Sequence, residues 1–207
     1  MKLGLGYKQG RIPFKASIIS LMLLLAVFCC CAFSPGTLAE EPLRPEQIIL
    51  TWTSDPATSQ TITWLMADNL LRQVQYMKEN EFNGNFDLAQ QINVNGTIFT
   101  NSNYRYTANL SGLTPNTKYI YRVGSEGIWS GNLSFTTAAD TEKITFLYLG
   151  DVQAGYTEWG NMLNSIENGY PQIKFSLLGG DLTNNGSDEN EWGQFLNAAS
   201  GYFSKIP

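Results

Sequence analysis

The chain contains no histidine among its 207 residues, and its three cysteines form one uninterrupted run at 29–31. Imidazole is the side chain that most often shuttles protons and binds metals near neutral pH. A catalytic or metal site made from these residues therefore has to work without imidazole.

The first 39 residues differ in composition from the rest of the chain. They carry four basic residues and no acidic one, followed by an apolar run at 16–27 and by Thr37-Leu38-Ala39, the small residues that a signal peptidase recognises. We interpret 1–39 as a secretory signal peptide, which predicts a secreted or cell-surface protein without a membrane anchor once the signal is removed. A retained membrane anchor and a lipid anchor at cysteines 29–31 are the alternatives, and the apolar run is short for a span of ~20 residues.

A mature chain that begins near Glu40 has no thiol at all. It cannot contain a disulfide framework, a catalytic thiol or a cysteine-based zinc site. Removing the leader also leaves nine basic against 18 acidic residues, a formal net charge of −9. Because such a surface repels polyanions, we expect no nucleic-acid partner.

Residues 40–139 have the pattern of an all-β domain. Short stretches of alternating apolar and polar residues are separated by Asn, Gly and Pro clusters, which is typical of an immunoglobulin-like or fibronectin III-like sandwich. The candidate strands are 47–53, 61–66, 74–78, 97–100, 104–110, 118–123 and 132–136.

The most specific piece of this domain is 113–123, LTPNTKYIYRV. It resembles the tyrosine-corner segment of fibronectin type III domains. Leu113 is expected to fill the core, Pro115 to set the turn, and a tyrosine hydroxyl to hydrogen-bond back to the corner backbone.

Residues 140–207 have a different pattern, that of a βαβα unit. Two apolar runs at 144–149 and 174–178 read as parallel strands buried on both faces. Between them Thr157 is predicted to cap a first helix, and Ser187 or Asp188 a second one, in which acidic residues 188, 189 and 191 would favour the helix start and face solvent. Residues 205–207 resemble the entry to a third strand, so we expect this α/β domain to be incomplete.

Each of the two apolar runs ends in Gly-Asp. Because the carboxyl ends of parallel strands lie at the same edge of a sheet, Asp151 and Asp181 should emerge side by side. Hard cations and iron bind carboxylate oxygen, and a bridging carboxylate suits a metal pair ~3.5–4 Å apart. The alternative is that each Gly-Asp merely ends a strand.

The segments 150–153, GDVQ, and 180–186, GDLTNNG, resemble the first two signature blocks of the calcineurin-like metallophosphoesterases. A preceding fibronectin III-like domain with PEQI at 45–48 is similar to the purple acid phosphatase branch. The resemblance implies a secreted phosphatase that hydrolyses phosphate esters at a pair of Fe, Zn or Mn ions. It also implies that Asp151 ligates one metal and that Asp181 bridges both.

Departures from the family pattern limit what this chain can do. Gln153 stands where many members have histidine, and Asn184 where purple members have a metal-binding tyrosine, so both are tentative metal-binding or water-orienting residues. Later histidine blocks are absent, and no catalytic residue is assigned within the chain. We therefore expect the front part of a longer enzyme, inactive by itself; the alternative is a secreted fibronectin III-like binding module with an inert α/β remnant.

Overall fold

The computed structural model describes residues 43–140 and 143–207, which belong to one compact unit. The predicted signal peptide at 1–39, which includes the cysteines, and residues 40–42 and 141–142 lie outside the described residues. Within the described ranges, no helix is both long and apolar enough to span a bilayer.

The first part is a sandwich of two antiparallel sheets. One sheet has the order β1-β2-β6-β5, and the other has the order β4-β3-β7, with β8 and β9 both pairing with β7. A short 3-10 helix at Glu79–Glu81 follows β3. The strands are β1 Glu46–Thr51, β2 Ser59–Met66, β3 Arg72–Lys78, β4 Gln90–Val94, β5 Thr97–Ile98, β6 Tyr104–Ser111, β7 Lys118–Ser125, β8 Ile128–Trp129 and β9 Leu133–Thr136.

Most of these strands alternate apolar and polar residues, because every second residue of a strand faces the core. In β6 the buried positions are Tyr106, Ala108 and Leu110, and the residues between them are exposed. Strand β4 was missed by the sequence reasoning because Gln and Asn dominate it and such residues rarely mark strands. Strand β8, only two residues long, was missed as well.

The tyrosine corner is present as predicted. Leu113 is buried, and the main-chain N–H of Thr114 donates a 2.9 Å hydrogen bond to the hydroxyl oxygen of Tyr119. The ring of Tyr119 stacks on Phe135 of β9. These contacts fix the turn into β7.

The second part has the predicted βαβα order, so the expected sandwich followed by an α/β unit is confirmed. Its elements are β10 Thr145–Leu149, α1 Tyr156–Gly169, β11 Ile173–Leu178 and α2 Glu189–Phe203. Strands β10 and β11 are parallel. Asp188 caps α2 through its side chain, whereas the predicted cap of α1 at Thr157 is wrong, because the helix starts after Gly155 without a side-chain cap.

The two helices pack against each other and against one face of the β10-β11 sheet. A Cβ added at Gly160 of α1 would lie 2.8 Å from the carbonyl oxygen of Ala198 on α2, so glycine permits the close approach of the helices. The core of this part comprises Val152, Trp159, Leu163, Phe195, Ala199, Tyr202 and Phe203.

The sequence predicts that strands β10 and β11 are buried on both faces. For the described residues this prediction is wrong. Leu147 and Leu149 pack towards the helical core, but Phe146 and Tyr148 are 49% and 66% exposed. The helices α1 and α2 cover one face of the sheet, and no described element covers the whole of the other face.

Half-buried contacts join the sandwich to the α/β part. Ile49 of β1 packs against the helical core, and Trp52 contacts the ring of Phe175 on β11 at a centroid distance of 5.1 Å. Trp52 therefore lies where the sandwich meets the α/β part and does not belong to the sandwich core. At the far edge of β11 the main-chain N–H of Ser176 donates a 2.7 Å hydrogen bond to the carbonyl oxygen of Pro207, in line with a strand entry there.

Candidate metal centre

The ends of β10 and β11 run into two loops that are hydrogen-bonded to each other. The N–H of Asp151 donates to the carbonyl oxygen of Gly180 at 3.0 Å, and the N–H of Val152 donates to the carbonyl oxygen of Asp181 at 2.9 Å. The parallel pairing of the strands delivers both segments to the same edge. The structure thus brings the two Gly-Asp segments together, as the sequence predicted.

Both aspartates adopt the left-handed backbone region, with φ of 58° at Asp151 and 51° at Asp181. This conformation is uncommon for residues other than glycine, although aspartate tolerates it better than most. The close approach of the loops also depends on Gly150, where an added Cβ would lie 3.1 Å from the carbonyl oxygen of Gly180. Backbone strain of this kind concentrates at functional sites.

The two carboxylates are solvent-exposed, and neither forms a hydrogen bond or an ion pair with any other described residue. Their oxygens are the donors that hard divalent cations prefer. Across 43–140 and 143–207, no cluster of three or more His, Cys, Asp or Glu side chains could hold a metal. The donors present therefore fit part of a metal site rather than a complete one, and the metal-binding role of Asp151 and Asp181 stays a prediction.

Gln153 and Asn184, the two tentative site residues, occupy different positions. The N–H of Gln153 donates to the carbonyl oxygen of Asp181 at 3.1 Å, so its backbone helps to join the loops. Asn184 is exposed on the loop that follows β11. Its Nδ2 donates a 3.0 Å hydrogen bond to Oε1 of Glu191, a contact between the loop and helix α2.

Glu191 is the site neighbour that sequence reasoning missed. Its Oε2 accepts a 3.0 Å hydrogen bond from the N–H of Asn185, so both carboxylate oxygens bind the loop. Trp192 adds a 3.0 Å bond from Nε1 to the carbonyl oxygen of Gly186. An acidic residue in the first helical turn normally indicates only a favourable interaction with the helix dipole. The sequence pattern therefore did not predict that Glu191 binds the loop.

Tyr156, the first residue of α1, lies close enough to the start of α2 to interact with its acidic residues. Desolvation raises the pKa of the Tyr156 phenol, and the negative charges of Glu191 and Asp188 add to the shift. The Tyr156 hydroxyl is buried and has no hydrogen-bond partner among the described residues.

Comparison with known proteins identifies the first domain. Residues 45–137 match the family model of the purple acid phosphatase N-terminal domain, which confirms the predicted branch for this part of the chain. No curated protein matches the chain.

Among solved structures, the chain is similar to PhoD, with 12% identity, a TM-score of 0.56, and coverage of 81% of this chain and 39% of PhoD. It is also similar to the FN5 domain of Drosophila Lar, with 20% identity, a TM-score of 0.35, and coverage of 46% and 96%. The PhoD likeness supports the fold, with the sandwich and part of the α/β unit together. The chain spans well under half the length of PhoD.

Proposed function

We propose that this chain, which carries a purple acid phosphatase N-terminal domain at 45–137, is the N-terminal part of a secreted metal-dependent phosphoesterase that hydrolyses phosphate monoesters. The observation that carries the proposal is the pair of exposed aspartates, Asp151 and Asp181, on hydrogen-bonded loops at the carboxyl edge of a parallel sheet. Ligands bind at this edge in open α/β sheets.

Asp151 and Asp181 would hold the metal through their carboxylate oxygens, with Asp181 as the bridge of a pair. A bound metal pair supplies a Lewis acid and a water of lowered pKa. The protein contributes rigidity, because Gly150 lets the two loops approach closely and three main-chain hydrogen bonds from residues 151–153 tie them together. The expected metals are Fe, Zn or Mn.

The side chains near the two aspartates include no histidine. Gln153 can orient a water but cannot exchange a proton at neutral pH. Without a general acid or base and without further ligands, we expect the isolated chain to turn over an aryl phosphate slowly or not at all. The ligands that complete the centre would come from a part of the full protein beyond these residues.

Metal titration tests the proposal. The full 207-residue chain is titrated with Mn²⁺, and free Mn²⁺ is measured by electron paramagnetic resonance. We expect weak, saturable binding that Asp151→Asn and Asp181→Asn each abolish, whereas Glu189→Gln, an exposed control near the site, leaves it unchanged. Binding that survives both substitutions, or no binding at all, contradicts the proposal and leaves a secreted fibronectin III-like binding module as the better description.

A further inference from the structure

The Glu191 side chain makes two hydrogen bonds to the loop between β11 and α2. Glu191 accepts hydrogen bonds from Nδ2 of Asn184 and from the N–H of Asn185, at 3.0 Å each. The two bonds engage one oxygen each, so the carboxylate bridges a side chain and the main chain of the same loop. Since charged acceptors form stronger hydrogen bonds than neutral ones, this bridge is well suited to fix the loop.

Glu191 is itself fixed by the start of helix α2. Its N–H donates to Oδ1 of Asp188 at 3.2 Å, and the same oxygen accepts from the N–H of Asn190 at 2.9 Å. The capped helical turn sets the position of the Glu191 backbone. The loop is therefore attached to the capped first turn of a helix.

The bond to Asn184 also determines which way its amide points. A carboxylate accepts hydrogen bonds but has no proton to donate at neutral pH, so only the NH₂ group of the amide can face it. The carbonyl oxygen of Asn184 is then the atom left to interact with other groups. Amide oxygen, unlike amide nitrogen, is a ligand for hard cations.

We infer that Glu191 is a positioning residue for the candidate metal centre: it holds the loop that begins at Asp181 and turns the oxygen of Asn184 away from helix α2. The inference rests on the proposed function, because it assigns Glu191 a role towards the same site. Groups that orient metal ligands without binding the metal typically change metal affinity by 10–100-fold when they are replaced.

The test compares Mn²⁺ binding by the full 207-residue chain with that of Glu191→Gln and Glu191→Asp, followed by electron paramagnetic resonance. Glu191→Gln keeps the shape of the side chain but removes its charge and one acceptor. Glu191→Asp keeps the charge on a shorter side chain. Its comparison with Glu191→Gln separates the positioning of the loop from a general effect of negative charge. We expect the dissociation constant to rise about tenfold in both variants, at the lower end of the effect of such residues.

Glu189→Gln is the matched control, because Glu189 lies in the same helical turn and has no side-chain hydrogen bond to the described residues. It removes the same charge from the same turn and is expected to leave Mn²⁺ affinity unchanged. Amide hydrogen exchange provides a second measurement without metal. The N–H of Asn185 should exchange faster in Glu191→Gln than in the unmodified chain.

The outcomes separate this inference from the proposed function. If the unmodified chain binds Mn²⁺ and both Glu191 variants bind it equally well, the role of Glu191 is wrong and the proposed centre stands. If Glu191→Asp binds as the unmodified chain does while Glu191→Gln is weaker, charge and not position is the cause, which also overturns the inference. If the unmodified chain does not bind Mn²⁺, both proposals are wrong. Should Glu191→Gln fail to fold, Glu191→Asp and the control decide the result.

Discussion

The hydroxyl of Tyr121, on sandwich strand β7, donates a 2.6 Å hydrogen bond to the carbonyl oxygen of Ser204, which follows helix α2. Tyr121 is fully buried and Ser204 is almost so. This bond links the sandwich to the α/β part at a point that water does not reach, so each group depends on the other for its hydrogen bond.

Removing this hydroxyl should destabilise the whole described unit. Tyr121→Phe leaves the carbonyl oxygen of Ser204 without its donor in a buried place, which costs about 1–3 kcal/mol. Urea unfolding measures the loss. Tyr104→Phe is the control, because its hydroxyl makes no hydrogen bond to a described residue, and it should change the free energy of unfolding little. Equal effects of the two substitutions would contradict the prediction.

The free energy of unfolding should fall at alkaline pH because of the buried phenol of Tyr121. Burial raises the pKa of Tyr121 well above its ordinary value. In the unfolded chain tyrosine titrates near pH ~10, so above that pH the unfolded state loses a proton that the folded state retains. The stabilisation is complete below the unfolded pKa and is lost as pH rises towards the folded pKa. Urea unfolding between neutral and alkaline pH should give a shallower decline in Tyr121→Phe than in the unmodified chain.

Two helical glycines should respond to alanine in opposite ways. In Gly160→Ala the new Cβ would lie 2.8 Å from the carbonyl oxygen of Ala198, and we expect a loss of about 1–3 kcal/mol from overpacking. At Gly193 of α2 nothing lies within 4 Å of an added Cβ. Gly193→Ala should therefore raise stability by about 0.5–1 kcal/mol through helix propensity. Thermal unfolding followed by circular dichroism distinguishes the two, and a stabilising Gly160→Ala would show that the helices are farther apart.

The cap of α2 should contribute measurably to stability. Asp188 accepts hydrogen bonds from the N–H groups of Asn190 and Glu191 through Oδ1. Asp188→Ala removes both, with an expected loss of about 1 kcal/mol. Asp188→Asn retains an acceptor oxygen and should recover most of it. A loss of similar size in both variants would assign the effect to charge, not to the hydrogen bonds.

The local pattern of the sequence was enough to predict the tyrosine corner, the two Gly-Asp strand ends and a helix cap at Ser187 or Asp188, of which Asp188 is the one observed. Each depends on residues close together in the chain, so the signal and the structure coincide. The sequence could not show that Glu191 binds the loop at 184–185, because an acid in a first helical turn has the same local pattern whether it faces solvent or a neighbouring loop. The apolar character of Phe146 and Tyr148 favours burial on both faces of their strands. The described residues nevertheless cover only one of these faces, which the sequence pattern could not show.

The sequence by itself determined the order of elements, the sandwich followed by a βαβα unit, and the chemistry available to the site, with carboxylates and amides but no imidazole. Those properties follow from residue type and periodicity, which act over a few residues. Only the tertiary structure decided that main-chain hydrogen bonds tie the loops of Asp151 and Asp181 together, that Glu191 supports one of them, and that Tyr121 joins the sandwich to helix α2. Such contacts depend on chain segments far apart in the sequence, and packing alone brings them together.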